Sequence, residues 1–169
     1  MHGATVLDVG GGIGAIELDL LARGAERATN VELSGGYEEA AAELIAERAL
    51  EGRVDRLVGD FVTADVEPHD VVVMHRVVCC YPDVDLLVGT AATHTGRLLL
   101  LTYPRDRLLV RAGLRSVNLW LRLSRCGFRT YAHPVARISA AAEAHGLRLE
   151  QRERNGPFWE SAAYRRMPV

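Results

Sequence analysis

The chain contains no lysine. All 20 of its Lys+Arg cations are arginines, a bias we read mostly as the codon preference of a high-GC genome. The absence excludes any mechanism that needs a lysine amine, because a guanidinium stays protonated in proteins and forms no Schiff base. Cysteine is scarce, with Cys79, Cys80 and Cys126 alone. Adjacent cysteines bridge only under strain, and no C-x-x-C spacing offers a zinc site. We therefore expect reduced thiols that behave as small hydrophobes, no metal, and a cytoplasmic setting. Aromatic residues make up 6% of the chain, too few for the stacking surfaces of a nucleic-acid module. The formal charge of -2 gives no overall attraction to nucleic acid or to an anionic membrane. No apolar run reaches the roughly 18 residues of a spanning helix, and no basic-then-apolar leader precedes Thr5.

What is present is an ordinary globular composition. The 169 residues are 49% hydrophobic and 25% charged, enough to bury a core without disulfide or metal. Strand-like and helix-like stretches alternate. Residues 5–9 read as a buried strand, and residues 13–23 carry apolar side chains at helical spacing up to Gly24. A second strand spans 28–33. Ser34-Gly35-Gly36 then leads into a helix over 37–50, stopped by Gly52. Residues 54–58 form a short third strand. Residues 70–78, with Val71-Val72-Val73-Met74 at their heart, are the continuous apolar run of a central parallel strand. Asp83 caps a helix reaching residue 92, and 97–103 form a fifth strand.

Beyond Pro104 the rhythm changes. Residues 105–129 are rich in arginine and leucine and mostly helical, and 134–145 form another helix ending at Gly146. Residues 147–154 and 159–166 are two strands joined across Asn155-Gly156-Pro157, a turn sequence. The expected fold is α/β: a doubly wound, Rossmann-like, seven-stranded, mostly parallel sheet closed by an antiparallel C-terminal hairpin. No repeat or linker interrupts it, so residues 1–169 read as one domain.

Open α/β sheets bind ligands beyond the carboxyl ends of their strands, where strand order reverses. Gly10, Gly12 and Gly14 lie at such an end. Glycines there allow a tight turn and let a ligand approach the backbone, and the helix behind them offers free N–H groups. Three acids fall at three successive strand ends. Glu32 closes the second strand about 20 residues past the glycines, where a carboxylate accepts from both hydroxyls of a ribose. Asp60, beside Phe61, offers an acceptor for an exocyclic amine next to an apolar face for a purine. Asp8 lies inside the first strand, where a buried carboxylate is costly unless it is hydrogen-bonded or faces a cation.

On the run from Val6-Leu7-Asp8-Val9 through Gly10-Gly11-Gly12-Ile13-Gly14, with Glu32, Gly59-Asp60 and the apolar strand before His75, the sequence resembles the class I S-adenosylmethionine-dependent methyltransferases. The resemblance covers nearly the whole chain. It implies that Asp8, Gly10, Gly11, Gly12 and Gly14 hold the methionine part of the cofactor, Glu32 the ribose, and Asp60 with Phe61 the adenine, with Leu33 a further cofactor contact. His75 and Arg76 then frame it. A rival reading is a nicotinamide-dependent oxidoreductase, since Gly10 to Ala15 also satisfies G-x-G-x-x-A. Against it stand Asp8, at a strand position that dehydrogenase fingerprints keep apolar, and the missing lysine of short-chain dehydrogenases. A third reading is a non-catalytic relative that binds the cofactor as a structural part.

Methyl transfer is an in-line displacement that needs alignment and exclusion of water, and a general base only for a poorly ionised acceptor. After the fourth strand, His75 is the candidate base, or else a framing residue, and Tyr81 the candidate to cover the reacting groups. Tyr103, Arg105 and His133 are candidate acceptor contacts. The Tyr81-Pro82 step, the strand end Thr102-Tyr103-Pro104-Arg105 and the closing hairpin are similar to magnesium-protoporphyrin methyltransferases, which esterify a propionate on a tetrapyrrole. The expected partner is a small-molecule acceptor, with acidic molecules among the candidates, rather than nucleic acid. The arginine-rich stretch 105–129 is either a solvated face over a leucine core, a holder for an acidic substrate, or a peripheral contact with a membrane surface. Relatives normally carry helices before the first strand. Their absence here suggests a trimmed chain, a misassigned start, or an open site completed by a partner, with weak to moderate cofactor affinity and slow turnover.

Overall fold

A computed structural model describes residues 2–168. The strands are β1 (Thr5–Val9), β2 (Arg27–Glu32), β3 (Val54–Val58), β4 (His69–His75), β5 (Thr95–Pro104), β6 (Leu147–Asn155) and β7 (Trp159–Arg166). They form one sheet in the order β3-β2-β1-β4-β5-β7-β6. The first five run parallel, and β7 pairs antiparallel with both β5 and β6. Strand order reverses between β1 and β4, whose register sets Leu7 beside Val72 and Asp8 beside Val73. The doubly wound sheet with its antiparallel hairpin is as expected.

The helices are α1 (Ala15–Ala22), α2 (Glu38–Glu47), α3 (Val84–Thr93), α4 (Leu108–Leu123) and α5 (Val135–Glu143). Strand alternation divides the core into two layers. Leu7, Val9, Val72, Met74, Leu99 and Leu101 point toward α3 and α5, where Tyr103, Ile138 and Tyr164 complete the larger layer. Val6, Val71 and Val73 point the other way, against Leu18 and Leu21 of α1 and Ile45 of α2. α4 takes little part in either, and Val110 is its one buried residue. No helix among the described residues is long and apolar enough to cross a membrane.

Among the boundaries that differ from the sequence reading, three do so for a clear backbone reason. The helix expected from residue 13 starts at Ala15, because Gly12 and Gly14 hold left-handed φ values of 57° and 87° that no helix continues. The helix expected to reach residue 50 stops at Glu47, two residues before Ala49 turns to a φ of 52°. The strand expected to reach residue 78 ends at His75. Arg76 takes a φ of 62°, and Val78–Cys80 form a single 3-10 turn instead. Asp83 caps α3 as expected, its carboxylate accepting from the Leu86 N–H at 3.1 Å.

Candidate functional site

The chain leaves β1 through the glycine turn at the reversal of strand order. The Gly10 N–H donates to the Val31 carbonyl at 2.8 Å, which ties the turn to β2. Gly12 is pinned on both sides. Its N–H donates to Glu32 Oε2 at 3.0 Å, and its carbonyl accepts from Arg56 Nη2 at 2.8 Å. The second oxygen of Glu32 accepts from the Ser34 N–H at 2.9 Å. Each carboxylate oxygen keeps a further lone pair, so Glu32 is both a clamp on the turn and an acceptor with capacity left.

Above the turn opens a cavity of about 480 Å³, within the usual range for small-molecule sites. Gly10 and Gly12 form its floor, Glu32 and Leu33 one wall, and Asp60 with Phe61 another. His75, Arg76 and Tyr81 close the side beneath the end of β4. These nine residues, singled out from the sequence, share one space. Cys80, Tyr37 and Phe128 also line it and were not foreseen as site residues. Phe128 comes from the loop after α4, and nothing in its sequence spacing marks that loop as returning here.

Asp60 is held by its own turn, Oδ1 accepting from the Val62 N–H at 3.0 Å, while Oδ2 accepts from the Tyr81 hydroxyl at 3.3 Å. Burial, and then the Asp60 charge, raise the Tyr81 phenol above its ordinary range, so it remains a donor. His75 Nδ1 lies 3.3 Å from Thr102 Oγ1, which in turn bonds Ser161 Oγ at 2.9 Å. Burial, and then the neighbouring Arg76 charge, push the His75 imidazole below its ordinary value, which keeps it neutral at pH 7. The Arg76 guanidinium sits 4.8 Å over the Trp159 ring. Cys80 donates or accepts at 3.8 Å with Cys79. The hydrogen bond from Cys79 lowers the Cys80 thiol, while that contact and burial raise Cys79.

Asp8 does not face this cavity. It is 1% exposed and sits under the turn in a cluster with Glu17, Asn30 and Arg56. A Cβ on Gly11 would meet its Oδ2 at 2.7 Å, and one on Gly14 would meet Glu17 Oε1 at 2.5 Å. Gly11 and Gly14 therefore leave room for the buried side chains beneath the turn. Asn30 Nδ2 donates to Glu17 Oε2 at 2.5 Å, and Arg56 Nη1 lies 3.6 Å from Glu17 Oε1. Both Asp8 oxygens, with Glu17 Oε1, Asn30 Oδ1 and Arg56 Nη1, lack a hydrogen-bond partner among the described residues. Burial first, and then the charge of Glu17, push the Asp8 carboxyl up to about 8. Both causes favour its neutral form. Glu17, Asn30 and Arg56 escaped the sequence reading because a polar residue on a strand or helix carries no mark of what it faces.

The expected acceptor contacts also lie elsewhere. Tyr103 is fully buried, its hydroxyl donating to Glu160 Oε1 at 3.3 Å. Arg105 is buried against the hairpin turn, with Nη1 3.5 Å from the Pro157 carbonyl. His133 Nε2 bonds the Tyr81 carbonyl at 2.9 Å and so positions Tyr81 from behind. Tyr103 lies near the end of β5, Arg105 just after it and His133 in the loop before α5, and their side chains turn into the core or onto backbone rather than into the cavity.

The sequence matches no family model and no curated protein. Solved structures match it over nearly its full length. Magnesium protoporphyrin IX methyltransferase from Synechocystis PCC 6803 with bound SAH superposes with a TM-score of 0.78 at 19% identity, covering 98% of this chain and 75% of that one. The mitomycin 7-O-methyltransferase MmcR gives 0.75 at 25% identity over 98% of this chain and 49% of its own. The [4+2]-cyclase SpnF gives 0.74 at 17% identity over 98% and 76%. Their shared architecture is the reversed parallel sheet with its antiparallel hairpin, and the fold of this chain is that of the class I S-adenosylmethionine-dependent methyltransferases.

Proposed function

We propose that the chain binds S-adenosylmethionine in the cavity over the glycine turn and transfers its methyl group to a small or medium organic acceptor at oxygen, nitrogen or a carboxylate. The observation that carries this reading is Glu32, clamped by the Gly12 and Ser34 N–H groups with acceptor capacity left and facing a cavity that also holds Asp60. The residues fit the cofactor. Gly12 exposes bare backbone with open space where a Cβ would stand. Glu32 suits a ribose diol, and Asp60 beside Phe61 suits adenine. We keep Gly10, Gly12, Glu32, Leu33, Asp60, Phe61, His75 and Arg76 as cofactor contacts and read residues 1–169 as one domain built around them.

Bound there, the sulfonium supplies an electrophilic methyl group. The protein's part is alignment and exclusion of water. Tyr81 is oriented by Asp60 and by His133 behind its carbonyl, so its ring forms a fixed wall. His75 is neutral and able to take a proton at its free Nε2 from a hydroxyl or amine acceptor, whereas a carboxylate acceptor needs no base. Arg76, stacked on Trp159, supplies a fixed positive charge at the cavity edge that an acidic acceptor would meet.

Native mass spectrometry with S-adenosylmethionine, NAD and NADP in competition tests the assignment. Retention of S-adenosylmethionine alone is expected. Retention of a nicotinamide dinucleotide in its place would make the chain an oxidoreductase.

A further inference from the structure

α4 leaves most of its large apolar side chains exposed. Leu108, Leu109, Leu119, Trp120 and Leu123 are between 59% and 86% exposed. At about 100° per residue, Leu108, Ala112, Leu119 and Leu123 share one outward arc with Leu109 and Trp120 at its edge. The arc of Val110, Leu114 and Leu121 turns toward the body. Between the two runs a basic flank of Arg111, Arg115 and Arg122. Arg111 pairs with Asp106 at 2.6 Å, while Arg115 and Arg122 have no ion-pair partner among the described residues.

Residues 105–129 hold seven arginines against one acid, Asp106, in a chain whose formal charge is -2. Positive charge is thus gathered on this segment, and the rest of the chain is net acidic. Such a distribution orients a molecule against an anionic surface and turns the remainder away from it. Leucines on one arc, a tryptophan at its margin and arginines beside it are the arrangement of a helix lying in the plane of a bilayer, with leucines among the acyl chains and guanidinium groups at the headgroups. A second copy on this face would bring arginine flanks together, where like charges repel. Charge therefore favours an anionic occupant. We propose that α4 is a docking face for an anionic lipid bilayer.

The loop after α4 ties that face to the cavity. The Tyr131 N–H donates to the Cys79 carbonyl at 2.7 Å, His133 holds Tyr81, and Phe128 lines the cavity itself. A bilayer-seated α4 brings the lipid surface to the cavity mouth, which suits an amphiphilic methyl acceptor. That last step rests on the transferase reading, whereas the docking face does not.

Sedimentation of the full chain with vesicles of phosphatidylglycerol and phosphatidylcholine, against phosphatidylcholine alone, tests the docking face. Binding to the anionic vesicles is expected, falling roughly tenfold or more with Arg115→Glu and Arg122→Glu together and lost with Leu119→Ser and Leu123→Ser together. Thermal unfolding of each variant is recorded alongside. In the unaltered chain, brominated acyl chains should quench tryptophan emission, and Trp120→Phe should remove that quenching. No sedimentation with anionic vesicles at millimolar lipid, full binding by the charge-reversed variant, or a dimer that the two serines dissolve would each overturn the proposal. Calorimetry with S-adenosylhomocysteine in the absence of vesicles separates the two readings. Ligand heat without vesicle binding overturns docking alone, and vesicle binding without ligand heat overturns only the transferase.

Discussion

Asp8 shows how far a single residue can be read from sequence. An acid two positions before a glycine turn reads as a cofactor contact, yet strand alternation sets position 8 on the face of Val6, toward α1, and not on the face of Val9, which lines the cavity. Glu32 and Asp60 escape that rule and stay legible, because Glu32 is the last residue of β2 and Asp60 lies two residues past the end of β3, both at the cavity. A buried neutral carboxyl has a measurable consequence. Held up to about 8 in the folded chain and near its ordinary value of about 3.9 when unfolded, Asp8 binds more protons folded than unfolded between those two values. Its contribution therefore makes stability fall as pH rises through that interval and level off above it. Asp8→Asn keeps the size, stays neutral and removes the share of the slope that belongs to Asp8. The melting temperature of the variant should pull ahead of the parent's steadily from pH 5 to pH 8, by about 2–4 °C for each kcal/mol regained. A constant gap across that range would mean that Asp8 is ionised in the folded chain.

Elements were more legible than residues, and their ends less so. Apolar period and glycine stops locate every strand and helix. The boundaries shift where the backbone turns left-handed at Gly12, Gly14, Ala49 and Arg76, and of these only the glycines announce themselves. Arg76 is the costly case, since a non-glycine residue in that region is strained and such strain gathers at functional sites. It ends β4 and brings its side chain to the cavity. Capping was readable at Asp83, whose carboxylate closes the first turn of α3 at 3.1 Å. Asp83→Ala should lower stability by about 0.5–2 kcal/mol, read as an earlier urea midpoint with an unchanged slope. An unmoved midpoint would show that α3 holds its first turn through packing alone. The network of Arg56 from β3, Glu17 from α1 and the glycine turn was not readable, because it joins elements far apart in sequence through side chains that each look like ordinary surface charges.

For the whole molecule, alternating strands and helices, the long apolar run of β4 and the closing hairpin give the reversed sheet, and the reversal puts the cavity above β1 and β4. The stretch 105–129 and His133 read as candidate acceptor contacts, yet no local pattern marks Phe128 as the residue of this loop that reaches the cavity. On the proposed function, a clamped carboxylate at position 32 and a bare turn at position 12 grip an adenosyl ligand. Isothermal titration calorimetry with S-adenosylhomocysteine tests it most directly. Saturable one-site heat is expected, with affinity reduced by Glu32→Ala to the extent of a charged hydrogen bond or two, about 1.5–3 kcal/mol, in a variant that still unfolds cooperatively. Absence of heat from the folded parent chain at millimolar ligand, or the same affinity with and without Glu32, would contradict it.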